Sequence, residues 1–272
     1  MARDAKESDL VYISSEMTWD VNVYSYPQGE PKGLLTGFNL PQGLCSDPKG
    51  DVFVPEGATN DIKEYAHGGT TVIAYLSDAL EEPAGCSFDS TTGTLAVANV
   101  ISAAGAGNIA LYANATGLPT IVSDPAIYLP YECGYDNKGN LFVDGLTSLP
   151  SEGGVFQFAE LPKGSSSFTN ISLNRKIKIP GAVQWDGTYV TVGDAETGAI
   201  YRTNGAGGKV VGSTKLAGTR FDFQSWIQGK TIVAPRYYSI VARFWHYPAG
   251  GKAYKSIKVG SPFGTTVSVA AK

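Results

Sequence analysis

Three side chains with oxygen donor atoms, Glu132, Asp144 and Asn99, could together hold a divalent metal ion. Carboxylate and amide oxygens are the ligands that calcium prefers in proteins. The set is therefore a candidate Ca²⁺ site, with Glu132 and Asp144 as its acidic ligands, and we expect no other cofactor. The competing interpretation is that these two carboxylates lie on a solvated rim, where most acidic side chains are found.

Aromatic and amide side chains at matching places in the sequence predict a second kind of site. Aromatic rings offer surface for sugars or peptide side chains, while amides and carboxylates offer hydrogen bonds, and a small-ligand pocket combines the two. The same rings could instead fill the centre of the fold as core. The predicted ligand-binding residues are Gln42, Asn99, Tyr131, Glu132, Phe223, Gln224 and Phe263.

Residues suited to catalysis are sparse. The chain has two histidines, His67 and His246, and both fall near the ends of predicted third strands, away from the other candidates. The sequence shows no nucleophile elbow, histidine metal pair or phosphate-binding loop, and no spacing links serine, aspartate and histidine. We therefore predict no catalytic residue and favour binding over catalysis.

The candidate residues belong to a repeated stretch, best seen at Leu129–Gly145 (LPYECGYDNKGNLFVDG). It combines a mostly apolar segment, a tight Asp-Asn-Lys-Gly turn and a short strand rich in β-forming residues. Related stretches occur at Pro41–Val54, Pro83–Val97 and Pro180–Val192. A period of roughly 40–50 residues with several short strands per unit is typical of a β-propeller.

The two chain ends complete the first repeat. Leu10–Ser14 and Val21–Tyr26 are predicted strands that lack a proline-led strand before them, whereas Ser261–Val269 has that form and stands last. Joining the ends leaves no free sheet edge. The sequence thus predicts an all-β fold: a six-bladed β-propeller of four-stranded antiparallel blades, whose first blade is closed by the N- and C-terminal strands. Met1–Ser8 and Ala270–Lys272 would be loose tails.

The strand order predicts which candidate residues meet. In a four-stranded meander, the first strand begins and the second strand ends at the same face. That face would gather the candidates around the mouth of the central channel, with Asn99 and Asp144 both at the ends of second strands. The opposite face would carry the Asp/Gly turns, which we interpret as structural. The turn aspartates are Asp47, Asp89, Asp136 and Asp186.

Residues 1–272 are predicted to form a single domain. Its charge and hydropathy limit the kinds of partner that it could bind. The net charge is −4 and no basic cluster occurs, so nucleic acid is not an expected partner. No apolar run approaches the ~18–20 residues of a membrane helix. We expect a monomer that takes a small molecule, glycan or peptide at the channel mouth.

The three cysteines, Cys45, Cys86 and Cys133, are predicted to be free and buried. Cys86 and Cys133 occupy the same place in neighbouring repeats, and equivalent strands of packed sheets lie roughly 10 Å apart. A disulfide needs Cα atoms within about 7 Å of each other. The odd number of cysteines also argues against a framework built only of disulfides.

The repeat pattern P-x-G-x-x-x-D-x-x-G-x-(L/V)-(F/Y)-V resembles that of the NHL and gluconolactonase-like six-bladed propellers, including streptogramin-lyase-like members. The resemblance covers nearly the whole chain. It implies a bacterial protein that is extracytoplasmic or secreted after removal of a leader not present here, with a cytoplasmic protein as the alternative. Since this architecture carries binding modules and enzymes alike, it implies either a non-catalytic binding propeller or a metal-dependent hydrolase, lactonase or lyase that uses the same face.

The residues that such enzymes would use are not matched here. The resemblance implies a metal bound through Glu, Asn and Asp side chains at the channel ends of several blades, but the corresponding positions are Gln42, Ala84, Tyr131 and Gly181. Streptogramin-lyase-like catalysis needs a histidine near a metal, and neither histidine is predicted to face the channel. These departures favour the non-catalytic binding or scaffold function.

Overall fold

The computed structural model describes residues 1–78, 81–103 and 105–271, which form six small β-sheets with almost no helix. The strands, numbered along the chain, are β1 (Leu10–Ser15), β2 (Asp20–Ser25), β3 (Pro31–Leu35), β4 (Cys45–Ser46), β5 (Val52–Glu56), β6 (Asp61–Tyr65), β7 (Val72–Ser77), β8 (Pro83–Phe88), β9 (Leu95–Ser102), β10 (Gly105–Tyr112), β11 (Thr120–Val122), β12 (Leu129–Tyr135), β13 (Leu141–Leu146), β14 (Phe156–Leu161), β15 (Thr169–Asn170), β16 (Pro180–Trp185), β17 (Val190–Asp194), β18 (Ala199–Thr203), β19 (Val210–Ala217), β20 (Trp226–Gln228), β21 (Thr231–Pro235), β22 (Val241–His246), β23 (Gly251–Lys252), β24 (Lys255–Lys258) and β25 (Pro262–Ser268). Short 3-10 helices are found at Ala5–Glu7, Ala113–Ala115, Pro150–Glu152 and Gly205–Gly207.

Each sheet is one blade, and the six blades form a ring. Their strand orders, from the channel outward, are β25-β1-β2-β3, β4-β5-β6-β7, β8-β9-β10-β11, β12-β13-β14-β15, β16-β17-β18-β19 and β20-β21-β22-β24. The predicted six-bladed propeller of antiparallel blades is confirmed. Strand β23 departs from the predicted pattern because it pairs in parallel with β19, which adds a fifth strand to blade five.

The two ends of the described chain meet in blade one, as predicted. β25, the innermost strand of this blade, pairs antiparallel with β1. Just beyond β25, the backbone amide of Ala270 donates to Asp9 Oδ1 at 3.0 Å. The pairing of β25 with β1 therefore leaves no open sheet edge between the first and last strands of the chain. Lys272, the last residue of the predicted C-terminal tail, lies outside the described residues.

The segment Met1–Ser8 is not the loose tail that the sequence predicts. Ala5 is fully buried, and Met1 packs against the apolar cluster between blades one and two. The backbone amide of Ala2 donates to the carbonyl of Lys32 on the outermost strand of blade one. The segment is ordered because it covers apolar surface that the two blades would otherwise expose.

The core lies between blades. Tyr112, at the end of β10, is fully buried in a cluster with Ile62 and Leu76 of the preceding blade. Trp245 of blade six is buried in the same manner against Ile200 of blade five. Each blade thus completes its apolar surface on a neighbour, as repeat architectures do.

The aspartates of the tight turns act as structural caps, in agreement with the prediction. Asp136 Oδ1 accepts from the backbone amides of Lys138 and Asn140 at 2.8 and 2.9 Å. Such bonds satisfy the amides of the turn between the first and second strands. The same capping occurs at Asp47, Asp89 and Asp186.

Cys45 and Cys86 form a disulfide with Cα atoms 5.6 Å apart, so the prediction of three free cysteines is wrong. The spacing used for that prediction belongs to sheets that pack face to face, whereas the innermost strands of a propeller converge on the axis. The backbone amide of Gly43 even donates directly to the carbonyl of Ala84 in the next blade, at 3.1 Å. Cys133 is free and buried, as predicted.

Candidate functional site

The innermost strands begin alike in several blades. A leading proline pairs with a residue near the end of the second strand, and the register shifts just after this pair, which places a β-bulge in the channel wall. The bulge is where the predicted site residues lie. The pairs are Pro83↔Asn99, Pro130↔Gly145, Pro180↔Asp194 and Pro262↔Ser15.

Asn99 and Asp144 are not equivalent, although the sequence places both at strand ends. Gly145, not Asp144, pairs with the leading proline of its blade. Since side chains alternate along a strand, a one-residue offset turns the two side chains to opposite sides of their sheets. Asn99 is buried within blade three, where its Nδ2 donates to Asn108 Oδ1 at 2.9 Å. The three predicted metal ligands therefore do not share one site.

Asp144 links blades four and five. Its Oδ1 accepts from the amide of Glu132 and its Oδ2 from the amide of Gly181, both at 3.1 Å. Burial raises the pKa of Asp144 well above its ordinary value, and the two amides act in the opposite direction. Across residues 1–78, 81–103 and 105–271 no three His, Cys, Asp or Glu side chains are grouped so that they could hold a metal ion. Calcium binding at Glu132 and Asp144 stays a prediction.

Glu132 and Gln224 meet across the channel. Gln224 Nε2 donates to Glu132 Oε2 at 3.3 Å, and both side chains are buried. Four other blades have glycine or alanine at this position. A β-carbon at Gly85 would lie 2.4 Å from Glu132 Oε2, and one at Gly264 would lie 2.8 Å from Gln224 Oε1. The two long side chains occupy the space that the glycines leave open, and together they close the channel.

Gln224 also joins the innermost strands of three other blades. Its Oε1 accepts from the backbone amides of Leu44 and Thr265 at 2.7 and 3.0 Å. With its Nε2 on Glu132, the side chain connects blade six to blades one, two and four. Gln224 thus has a structural role in addition to the ligand contact predicted for it.

Glu132 is a buried acid without a basic partner. Burial raises the pKa of Glu132 well above its ordinary value, the neighbouring charge of Asp144 raises it further, and the hydrogen bond from Gln224 lowers it. None of the ion pairs found in the described part of the chain includes Glu132. Burial without a basic partner therefore disfavours the ionised form of this carboxyl group.

Aromatic rings from blades six and one cover one mouth of the channel. Phe223 and Phe263 stack with ring centroids 5.5 Å apart, and Tyr237 meets them edge-on at 5.4 and 5.7 Å. Tyr238 packs against Tyr237 with centroids 4.0 Å apart and keeps 78% of its surface exposed. We call these four residues the aromatic mouth. Phe223, Phe263 and Tyr237 are partly buried, whereas Tyr238 is exposed at the surface.

The remaining predicted site residues lie apart from this cluster. Tyr131 is half-buried, and burial, followed by the charge of Asp144, raises the pKa of its hydroxyl. Gln42 is buried near Gly57, and its carbonyl accepts from Ser14 Oγ at 2.7 Å. The structure thus brings Phe223 to Phe263 and Glu132 to Gln224. Among the described residues, no side-chain hydrogen bond or ring contact links Gln42, Asn99 or Tyr131 to either pair.

Three aromatic residues near the mouth are not found by sequence reasoning: Trp19, Tyr237 and Tyr238. A signal for the two tyrosines was present, because they come just after Arg236 at the end of β21, and the ends of second strands carry the candidates Asn99 and Asp144 in other blades. The two histidines lie elsewhere. His67 bonds Ser268 Oγ at 2.6 Å, and His246 stacks on a tyrosine of the outermost strand region.

Comparison with known proteins shows the fold alone. No protein-family profile matches the sequence, and no curated protein matches it. A chain from the crystal structure of a nidogen/laminin complex is similar with a TM-score of 0.77 at 13% identity, over 97% of this chain and 100% of that one. A protein of unknown function from Bacteroides caccae is similar with a TM-score of 0.68 at 10% identity, over 96% and 99%. Membership of the NHL or gluconolactonase-like group stays a prediction.

The described residues contain no helix with the length and apolar character that crossing a membrane requires.

Proposed function

We propose that this protein is a non-catalytic binding propeller that takes its partner at the aromatic mouth. The observation that carries the proposal is a set of packed rings that remain exposed: Tyr238 is 78% exposed while its ring rests on Tyr237. Aromatic side chains that neighbours already hold in place offer a large contact area and lose little side-chain entropy on binding.

The backbone of Trp19 supports a contact role for the adjacent loop. Trp19 ends the tight loop between β1 and β2 with φ of 55°, and its amide donates to the carbonyl of Ser15 at 3.0 Å. Asn60 and Gly198 end the same kind of loop in blades two and five with φ of 59° and 64°, and their residue types tolerate this conformation. A tryptophan there costs about 1–2 kcal/mol. Since Trp19 is 52% exposed, core packing does not offset that cost.

The loop of Trp19 belongs to the same surface as the aromatic mouth. Burial raises the pKa of the Glu16 carboxyl group and the nearby hydroxyl of Tyr237 lowers it, so this loop of blade one lies beside Tyr237 of blade six. Met17 and Ile240, on the loops of these two blades, are 67% and 62% exposed. Contiguous exposed apolar side chains of this kind mark interaction surfaces.

We propose a peptide segment of a partner protein as the occupant. Aliphatic side chains such as Met17 and Ile240 suit apolar peptide side chains but offer nothing to the hydroxyl groups of a sugar. The similar propeller in the nidogen/laminin crystal comes from a protein complex, which is compatible with such a partner. The Cys45–Cys86 disulfide fits an oxidising compartment, so we also propose an extracytoplasmic location.

The test is peptide selection on the whole protein, followed by affinity measurements on variants. We expect the double variant Trp19→Ala/Tyr238→Ala to bind the selected peptides at least roughly tenfold more weakly, because exposed aromatic anchors dominate such interfaces. Both residues are exposed, so the melting temperature should change little. Tyr75→Ala is the matched control, since Tyr75 is 65% exposed on β7 of blade two.

Two results would contradict this function. The first is that selected peptides bind the double variant as tightly as the wild type. The second is that an array of glycans yields ligands whereas the peptide library yields none, which would assign the surface to carbohydrate.

A further inference from the structure

A second site lies at the opposite end of the channel, where the innermost strands lead into the Asp turns. A cavity of ≈ 170 Å³ opens there, on the far side of the Glu132–Gln224 contact from the aromatic mouth. That volume accommodates several waters or a ligand of a few non-hydrogen atoms. Residues of five blades line it, among them Ser46, Phe88, Glu132, Tyr135, Trp185 and Trp226.

Aromatic residues line this cavity because the innermost strands of three blades end in an aromatic residue. Phe88, Tyr135 and Trp185 are the last residues of β8, β12 and β16, and each directly precedes the aspartate of its turn. Trp226 begins β20 in the next blade. All four are half-buried and contribute to the cavity lining. Aromatic faces attract cations, most strongly where water is partly excluded.

Most polar side chains of the cavity are paired within the protein, and the carboxyl group of Glu132 is only partly paired. Glu132 Oε2 accepts from Gln224, whereas Oε1 has no hydrogen-bond partner in the described part of the chain. The nearest other acid is Asp144, whose Oδ1 accepts from the backbone amide of Glu132 at 3.1 Å. A buried carboxylate that no cation neutralises is strongly unfavourable, so an added positive charge in the cavity would be stabilised.

We infer that this cavity binds a small organic cation, an ammonium compound. Its positive charge would lie against Glu132 between the aromatic walls. An inorganic divalent cation fits less well, because Glu132 has a single free oxygen and three of the four aromatic walls, Phe88, Trp185 and Trp226, supply none. The site is separate from the aromatic mouth, and the inference does not depend on the proposed function.

The titratable groups around Glu132 are consistent with a cation site. Burial raises the pKa of the Cys133 thiol and that of the Tyr135 hydroxyl, which keeps both groups neutral. Asp144 is the other acid in contact with this region, and its charge opposes ionisation of Glu132. Gln224, which faces Glu132 from blade six, carries no charge. An ammonium group would therefore supply the positive charge that stabilises the ionised form of Glu132.

The test is calorimetric titration of the whole protein with choline, at a constant ionic strength of about 0.15 M so that general screening is unchanged. The comparison compound is the neutral isostere of choline, in which carbon replaces the ammonium nitrogen. We expect saturable binding of choline with a Kd of about 1 mM or tighter, and no saturable binding of the isostere. Equal binding of both compounds, or no saturation by choline, would overturn the inference.

Choline binding by variants of the cavity residues tests whether this cavity is the binding site. Glu132→Gln removes the charge with little change of shape and should weaken choline binding at least roughly tenfold, because it deletes a buried ionic contact. Trp185→Leu should weaken it roughly threefold or more through the loss of one aromatic wall. Tyr75→Leu, on the outer part of blade two, should bind as the wild type does. If Glu132→Gln fails to fold, as judged by circular dichroism, unchanged binding by Trp185→Leu would still exclude the cavity.

Discussion

Asp222, beside the aromatic mouth, shows how burial of a single carboxyl group affects the whole protein. Its side chain is buried, Thr219 Oγ1 donates to its Oδ1, and its Oδ2 has no partner among the described residues. Burial raises the pKa of Asp222 to about 7, although Thr219 and nearby basic residues such as Arg236 act to lower it. The folded protein therefore holds a proton that the unfolded chain releases at much lower pH.

We predict that the free energy of unfolding falls as the pH rises from about 4 to about 7, because the folded state binds more protons than the unfolded state in this range. The contribution is intact below the unfolded pKa of Asp222 and is lost above its folded pKa. Asp222→Asn should consequently be more stable than the wild type near pH 8, by roughly 2–4 kcal/mol, and similar to it near pH 4. Urea unfolding at both pH values measures this.

Asp20→Asn is the control for the pH experiment, since Asp20 is only partly buried in β2. It should leave the pH dependence of stability unchanged. Buried Glu132 and Asp144 act in the same direction as Asp222, so the variant should reduce the slope without abolishing it. An Asp222→Asn variant with the wild-type slope would show that this carboxyl group is ionised in the folded protein.

The disulfide between β4 and β8 connects two innermost strands across a blade boundary. Cys45 and Cys86 are separated by 41 residues, which is nearly the whole of blade two. A crosslink that closes a loop of this length reduces the conformational entropy of the unfolded chain. Blade two is therefore fastened to blade three both by its apolar cluster and by a covalent bond.

We predict that Cys45→Ala/Cys86→Ala lowers the free energy of unfolding by about 2–4 kcal/mol, the range expected for a loop of this length. Reduction of the wild type should have a similar effect, whereas the double variant should not respond to the reductant. Denaturant unfolding with and without reductant measures both effects. Cys133→Ala is the control and should keep the wild-type response, because Cys133 is free.

Thiol titration gives an independent check on the same bond. The unfolded, unreduced wild type should show one reactive thiol, that of Cys133. Three reactive thiols, together with unfolding that reductant does not alter, would rule the disulfide out.

At the scale of the whole molecule, stability depends on closing the ring. β25 supplies Val267 to the cluster that fills the space between blades six and one, and it is the innermost strand of blade one. Without β25, blade one would have an unpaired edge facing the channel and blade six would lose part of its apolar contact.

We predict that a variant truncated after Ser261 does not fold cooperatively, because it lacks this strand. A circular permutant should fold, since Ala270 already contacts Asp9 and a short glycine-serine linker would join the ends. Its new ends would lie between Glu152 and Gly153, in an exposed loop of blade four. Circular dichroism and thermal unfolding measure both variants. A folded truncation, or an unfolded permutant, would contradict the role assigned to ring closure.

The architecture could be predicted from the sequence because its determinants are local and repeated. The proline-led strand recurs in five blades and the Asp/Gly turn in four, and the lone copy at Ser261–Val269 indicates that the last strand completes the first blade. Glu132 and Gln224 could also be identified, since they interrupt a position that other repeats fill with glycine or alanine. The period of the repeats along the chain was sufficient to predict the blades and to identify Glu132 and Gln224.

Only the tertiary structure decided which side chains meet. The Cys45–Cys86 bond depends on how closely innermost strands converge at the axis, which no single repeat encodes. The separation of Asn99 from Asp144 depends on a one-residue offset at a β-bulge, which reverses the direction of a side chain. The cavity behind Glu132 combines residues from five blades. Contacts of this kind arise between repeats, where distance in space is set by the closed ring and not by separation in sequence.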